Sequence, residues 1–221
     1  MKKIMLFLLL FCFVGCAPPG EAQNKQPKLL PAPDFFVALD FGHGGFDGGA
    51  VGLDTEVKES DLTLIVGRKV AVLLAERNVQ VILTRTDGDA LADTKQKDMN
   101  LRAKILKTDG LDAVVSIHMN RFIKDRKVRG PMAFFQAGAE EGKRLAQCVI
   151  DEVAAAVGAK GRLACPGNNM VTRVPTAPAV LVECGFLSNA QDEENLQQEE
   201  YQDLLAQAIV AGLMKYLTEA N

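Results

Sequence analysis

Short apolar runs alternate with longer amphipathic stretches along this chain, and this alternation limits the possible folds more than any other feature. Five apolar runs are predicted strands: Phe35–Asp40, Val79–Thr84, Ala113–Ile117, Gly130–Gln136 and Ala179–Cys184. Four stretches with helical spacing are predicted helices: Asp61–Glu76 (with Ser60 as its N-cap), Met99–Lys107, Glu140–Val157 and Tyr201–Leu217. This order predicts an α/β fold, a single-domain sandwich whose twisted, mostly parallel sheet is flanked by helices. The unpatterned segment Gly161–Pro178 is expected to shape the functional site.

The N-terminal segment is predicted to lie outside this domain. Residues 1–15 have the form of a signal peptide, with a basic start and an apolar stretch, Ile4–Val14, that is too short to span a bilayer. Gly15-Cys16 then resembles the bacterial lipoprotein signal, so Cys16 is the predicted lipidation site; an ordinary secretory signal is the alternative. Residues 16–34 are rich in Pro, Gln and Lys and are expected to form a tether. We therefore expect an exported protein in the cell envelope, anchored to a membrane by lipid.

The remaining composition excludes several classes of protein. Residues 35–221 suit one domain of ordinary size. A net charge of −3 does not favour a nucleic-acid partner. Cys148, Cys165 and Cys184 are widely spaced and lack a C-x-x-C pattern, which argues against a disulfide scaffold or a cysteine zinc site. Cys148 and Cys184 are expected to be buried apolar residues.

Only two histidines occur in the chain, and each follows a predicted strand. His43 lies in the glycine-rich segment Asp40–Ala50, and His118 follows Ala113–Ile117. Because sites in open α/β sheets form at the carboxyl ends of strands, we expect the two imidazoles to lie close together. A dinucleotide-binding loop is disfavoured, since the segment departs from GxGxxG at its sixth position. Each histidine taken alone is also compatible with a structural role.

Zinc favours imidazole and carboxylate ligands, so two histidines still require a carboxylate. The candidates are Asp47, Glu56, Glu59, Asp61 and Glu183. Glu59 lies at the start of the first helix, where it could also complement the helix dipole, and spacing does not separate it from Glu56. Glu183 is an isolated acid at the end of an apolar strand, where burial should raise its pKa and suit it to proton transfer. An ion pair with Arg85 or Arg173 is the alternative for Glu183.

Five segments resemble the zinc-dependent N-acetylmuramoyl-L-alanine amidases of the Amidase_3 type, which act on bacterial cell walls. They are Asp40–Ala50, Glu59–Leu64, Thr84-Arg85, Ser116–Asn120 and Val182–Asn189, in the order of that family. The resemblance implies that His43, Glu59 and His118 are the zinc ligands and that Glu183 is the catalytic carboxylate. It also implies that residues 35–221 are the catalytic domain.

The activity implied by this resemblance is hydrolysis of the amide between N-acetylmuramic acid and the L-alanine of the stem peptide, with zinc activating water. Peptidoglycan or a muropeptide would be the substrate, with Asn120 and Arg129 expected to contact it. Phe41 stands where the family usually has proline, and Lys107-Thr108-Asp109 also departs from its pattern, but neither change affects an implied ligand. A zinc peptidase on wall peptides and a non-catalytic wall-binding module are the alternatives. The sequence does not indicate an activator.

Overall fold

The computed structural model describes residues 32–159 and 162–219. The predicted signal peptide, the lipidation site Cys16 and most of the tether lie outside the described residues. Within the described part of the chain, no helix combines the length and the apolar character that crossing a membrane requires.

A six-stranded sheet forms the centre of the domain, in the order β2-β1-β3-β6-β4-β5. The strands are β1 (Phe35–Phe41), β2 (Val79–Leu83), β3 (Ala113–Asn120), β4 (Met132–Gln136), β5 (Cys165–Gly167) and β6 (Ala179–Phe186). Every neighbouring pair is parallel except β4 with β6. The predicted α/β sandwich with a mostly parallel sheet is therefore confirmed.

Within residues 32–159 and 162–219, six helices pack around the sheet. They are α1 (Glu59–Ala75), α2 (Lys95–Leu106), α3 (Glu140–Ala156), α4 (Met170–Arg173), α5 (Ala190–Leu196) and α6 (Glu199–Glu219). Helices α1, α3 and α6 pack on one face, and α2 and α4 pack on the other. Side chains alternate across β1, so Val37 and Leu39 enter the larger core and Ala38 enters the smaller one.

The predicted start of α1 is wrong, and the reason concerns the functional site. The N-cap is Lys58, which makes no side-chain capping bond, and Ser60 lies inside the helix. The amides of Glu59 and Ser60 donate to backbone carbonyls of Ala50 and Gly48 instead. Since the glycine-rich loop satisfies these helix amides, no side-chain cap is needed, and the loop is fixed to the start of α1.

Strand β3 also differs from its predicted end at Ile117. Its pairing with β6 continues through His118, opposite Glu183, to Asn120, opposite Phe186. His118 is therefore part of the strand, and its ring is positioned by the sheet rather than by a loop.

Candidate metal centre

Three elements bring two imidazoles and one carboxylate together at the carboxyl end of the sheet. His43 lies two residues after β1, Glu59 is the first residue of α1, and His118 lies near the end of β3. The amide of Gly42 donates to the Ile117 carbonyl, which holds the loop after β1 against β3. Donor atoms of His43, Glu59 and His118 all lie within 4.8 Å of one another.

Glu59 bridges the two histidine rings. Its Oε1 lies 2.8 Å from His118 Nδ1, and its Oε2 lies 3.2 Å from His43 Nε2. The amides of Ala50 and Met119 donate to the same two carboxylate oxygens, over 2.7 Å and 3.0 Å. Burial acts to raise the pKa of Glu59, but the contacts with His118 and His43 outweigh it and hold this pKa far below its usual range.

This group fits a divalent metal ion. Two donors bound to one zinc ion at about 2.0–2.1 Å in tetrahedral geometry lie roughly 3.3 Å apart, and one donor from each of the three residues lies within 4.8 Å of the others, so small side-chain movements would bring them to one ion. Burial lowers the pKa of His118, but the nearby carboxylates, Glu59 first, raise it by more. The site therefore stabilises a positive charge at this position. A metal cation would supply that charge, and the residues present can hold one.

The environment of His43 supports the same conclusion. Its Nδ1 lies 3.0 Å from Asp47 Oδ2, which also lies 3.0 Å from Lys95 Nζ. Histidines that bind metals usually direct their second ring nitrogen to a carboxylate or a carbonyl, which orients the ring. Asp47 therefore lies within ion-pair distance of the ring nitrogen that faces away from Glu59, although this nitrogen makes no hydrogen bond among the described residues.

Two of the other candidate carboxylates, Glu56 and Asp61, are exposed, and Glu56 has a backbone φ of 60° before α1. A third candidate, Asp47, contacts His43 on the ring nitrogen that faces away from Glu59. Of the candidates that spacing left open, Glu59 is the carboxylate that lies between the histidines.

Glu183 lies opposite His118 in the register of β3 and β6. The residue is half-buried, but its Oε2 is fully buried and has no hydrogen-bond partner among the described residues. Burial raises the pKa of Glu183 to about 7, although the charge of His118 acts to lower it. Neither predicted alternative partner contacts it, since Arg85 binds backbone carbonyls and Arg173 donates to Asn168.

Two buried arginines hold the loop that carries His43. Arg102 donates to the carbonyls of Phe41 and His43, and Arg85 donates to those of Phe41 and Gly42. His43 has a φ of 63°, a left-handed conformation that costs energy for a residue other than glycine. The bonds from the guanidinium groups fix three successive carbonyls and so stabilise this conformation.

The Arg102 charge is balanced by two acids. Asp40 Oδ1 and Asp98 Oδ2 each accept from Arg102 at 2.8 Å, and Ser116 Oγ donates to Asp40 Oδ2 at 2.6 Å. Burial acts to raise the pKa of Asp40, but Arg102 outweighs it and keeps this pKa below its usual value. Sequence patterns did not predict this network; the one signal for it is the i,i+4 spacing of Asp98 and Arg102 on a helix.

A cleft of about 140 Å³ opens beside the histidines, between the loop after β1, helix α2 and Val171 of α4. Val171 comes from the segment that was expected to shape the site. Asn120 is half-buried at the end of β3, and its Oδ1 accepts from the amide of Arg121. Arg129 lines a different cavity, of about 310 Å³, together with Arg162 and Tyr201. A role for Asn120 or Arg129 in substrate binding therefore stays a prediction.

A sheet edge that presents two imidazoles, a bridging carboxylate and a second carboxyl group with one oxygen unbonded among the described residues is typical of a metal-dependent hydrolase. Comparison with known proteins gives the family. The Amidase_3 profile, described as N-acetylmuramoyl-L-alanine amidase, matches residues 37–215. The chain belongs to this family and is an enzyme of that class.

Individual relatives agree with this assignment. A germination-specific N-acetylmuramoyl-L-alanine amidase from Bacillus subtilis is 32% identical over 226 residues, with 98% of this chain and 91% of that protein covered. A probable cell wall amidase, LytH, from Staphylococcus aureus is 30% identical, but only 63% of its length is covered against 89% of this chain. The CwlD amidase from Clostridioides difficile, solved in complex with the GerS lipoprotein, superposes with a TM-score of 0.79 at 32% identity, covering 84% of this chain and 100% of CwlD.

Proposed function

We propose that this protein hydrolyses the amide between the lactyl group of N-acetylmuramic acid and the L-alanine of the stem peptide, with zinc as its metal. The observation that carries the proposal is the His43–Glu59–His118 group with Glu183 in register beside it. Family membership indicates which bond is cleaved, and the site contains the groups that hydrolysis of this bond needs.

His43, Glu59 and His118 would hold the zinc ion. Two imidazoles and one carboxylate are a donor set that zinc accepts in catalytic sites, where a further position is left for water or substrate. When bound, zinc polarises the scissile carbonyl and lowers the pKa of a water molecule to about 7.

Glu183 is the proposed general base and acid. Its carboxylate accepts a proton from the attacking water and donates it to the leaving amine of L-alanine. The absence of a hydrogen-bond partner for Oε2 among the described residues supports this role, because the group is not committed to an ion pair. A carboxyl whose pKa lies near 7 can both take and release a proton at neutral pH.

Mass spectrometry of the products from a purified disaccharide-peptide tests the proposal. We expect a peptide-free disaccharide and a free peptide that begins with L-alanine. A zinc peptidase would leave L-alanine attached to muramic acid, and a binding module would leave the substrate intact. Either result would refute the proposed reaction.

We also propose that the chain is exported and attached to a membrane through a lipid on Cys16. The support is the sequence around Cys16, and a following segment of about 18 residues would give a reach of roughly 20–25 Å towards the wall. Replacing Cys16 by serine should move the protein from the membrane fraction to the soluble fraction. A Cys16→Ser protein that is still processed and still sediments with membranes would show that this cysteine is not the anchor.

A further inference from the structure

The segment Arg121–Arg129, called the basic loop below, concentrates positive charge on a chain whose net charge is −3. It contains five cationic residues and one acid, Asp125. All of its residues are exposed except the half-buried Val128. None of the reaction steps proposed above uses this charge.

Both ends of the basic loop join strands that contribute to the candidate metal centre. The loop connects β3 to β4, and these two strands flank β6 in the sheet. On β3, His118 pairs with Glu183, and on β4, Met132 pairs with the same Glu183. The loop therefore passes the carboxyl end of the strand that carries Glu183.

Hydrogen bonds hold the basic loop in place. The amide of Phe122 donates to Ser188 Oγ at 2.8 Å, and Arg126 Nε donates to the Ser188 carbonyl at 3.0 Å. Asn189 Nδ2 donates to the Arg126 carbonyl at 2.7 Å, and the Arg126 guanidinium also pairs with Asp54. Arg126 thus holds the basic loop in place, and its charge is balanced by Asp54.

The other four cations are available to a ligand. They make no ion pair with any residue in the described ranges: Arg121, Lys124, Lys127 and Arg129. A fixed loop that presents several unpaired cations beside an active site fits a ligand with several negative charges, because little conformational entropy is lost on binding.

We propose that the basic loop binds carboxylates of the stem peptide and so directs the peptide side of the substrate across the end of β6. This inference rests on the proposed function, since it takes the scissile amide to lie at the metal centre. The glycan of a muropeptide disaccharide is uncharged, whereas the stem peptide carries carboxylates from its second residue onward.

The lengths agree with this placement. An extended peptide spans at most about 3.3–3.6 Å per residue, so groups on its second and third residues lie roughly 7–11 Å from the scissile bond. Arg121 follows His118 by three residues, just after the end of β3 and past a register irregularity, so their Cα atoms lie at most about 10 Å apart. The cations therefore begin where the first carboxylates of the peptide would lie.

An anionic membrane surface is the competing ligand, because Phe122 and Ile123 are 42% and 65% exposed beside the cations. The position of the loop favours the peptide, since both of its ends join strands of the catalytic centre and Phe122 is bonded to Ser188 through its amide. The experiment below separates the two ligands.

The test uses Lys124→Gln/Lys127→Gln in the full chain, with two disaccharide-peptides that differ only in whether the stem carboxylates are free or amidated. The matched control is Lys107→Gln/Lys143→Gln, which removes two exposed charges at the opposite end of the sheet, after α2 and near the start of α3. For the free-carboxylate substrate we expect KM to rise about threefold to tenfold in the loop variant, with kcat unchanged. The amidated substrate should give the wild type a similarly raised KM and respond little to the loop variant.

An unchanged KM in the loop variant, or an equal rise in the control variant, would overturn the inference while the proposed function stands. Binding to vesicles of phosphatidylglycerol is measured in parallel, with Cys16→Ser added to the wild type and to both variants so that the proposed lipid does not hold them on the vesicles. Its loss in the loop variant, together with an unchanged KM, would assign the basic loop to the membrane instead. If the wild type releases no stem peptide from either substrate, the proposed function itself fails, and this inference fails with it.

Discussion

Glu59 and Glu183 are the same residue type at the same edge of the sheet, yet their surroundings drive their pKa values in opposite directions. Burial acts to raise the pKa of Glu59, but its contacts with two imidazoles outweigh this and keep the pKa low. Its carboxylate also accepts from two backbone amides. Glu183 is surrounded by protein without a hydrogen-bond partner for Oε2 among the described residues, and burial raises its pKa to about 7. Divergent environments of this kind give two carboxyl groups different roles, and the roles proposed here are a permanent charge for Glu59 and a proton carrier for Glu183.

Replacement of Glu183 by glutamine should abolish turnover while the fold and the metal content are retained. The amide is nearly isosteric with the carboxyl but cannot accept a proton from water at neutral pH. General acid–base catalysis contributes typically 10²–10⁴-fold, so kcat should fall by at least about 100-fold. The measurements are kcat on a muropeptide, zinc content and melting temperature. Near wild-type kcat in Glu183→Gln would show that this residue is structural.

Among the elements around the sheet, the loop after β1 carries a proposed zinc ligand, His43. It departs from regular structure immediately after a buried strand, and its conformation at His43 is held by Arg85 and Arg102. Arg102 reaches Phe41 and His43 from helix α2, so the position of a proposed ligand on one side of the site depends on a helix on the other.

Replacing Arg102 by lysine should weaken zinc binding without unfolding the protein. Lysine keeps the charge between Asp40 and Asp98 but lacks the planar fork that reaches several acceptors at once. Loss of an outer-shell contact to a metal ligand typically costs 10–100-fold in metal affinity, so we expect the zinc Kd to rise by about that factor. A competition titration with a chromophoric chelator measures it, with kcat at saturating zinc as a second readout.

Arg144→Lys is the control for this change. Arg144 also pairs with a carboxylate, Glu141, and lies over the Tyr216 ring, but it is on α3 and outside the candidate metal centre. Its replacement should leave the zinc Kd unchanged. Wild-type zinc affinity in Arg102→Lys would mean that its carbonyl contacts do not position His43.

Sequence patterns predicted the elements that bury continuous apolar surface, and they missed those that depend on tertiary contacts. Five of the six strands and the four longest helices follow from periodicity. The short elements β5, α4 and α5 have three, four and seven residues, too few for a periodic signal. Serine is a common N-cap residue, which is why the sequence predicted Ser60 as the cap of α1. The prediction fails because carbonyls of the glycine-rich loop accept from the first amides of the helix.

The candidate site was predictable to a similar extent. Strand ends located His43 and His118, whereas the choice of Glu59 over Glu56 needed either the family resemblance or the structure. In the folded chain Glu56 lies in a turn with a φ of 60°, and Glu59 begins a helix three residues later. The number of residues between His43 and each glutamate does not reveal that the chain turns between Glu56 and Glu59, so spacing alone could not choose between them.

At the scale of the whole molecule, a metal ion would link parts of the chain that are far apart in sequence. The proposed ligands come from the loop after β1, the start of α1 and the end of β3, and the unfolded chain does not bring these three together. Zinc would therefore bind the folded state preferentially, and its binding free energy would add to the free energy of unfolding.

Removal of zinc should therefore lower the melting temperature of the whole domain. At a free zinc concentration of about 1,000 times Kd, linkage stabilises the folded state by about 4.1 kcal/mol. For domains of 150–250 residues, each kcal/mol shifts Tm by about 2–4 °C, so chelation should lower Tm by roughly 8–16 °C. The shift should shrink in mild acid, because protonated imidazoles cannot bind the metal. Calorimetric scans with zinc and with a chelator measure it.

Glu56→Gln should keep the full shift, whereas His118→Ala and Glu59→Gln should lose most of it. A full shift in Glu59→Gln together with none in Glu56→Gln would reassign the third ligand to Glu56.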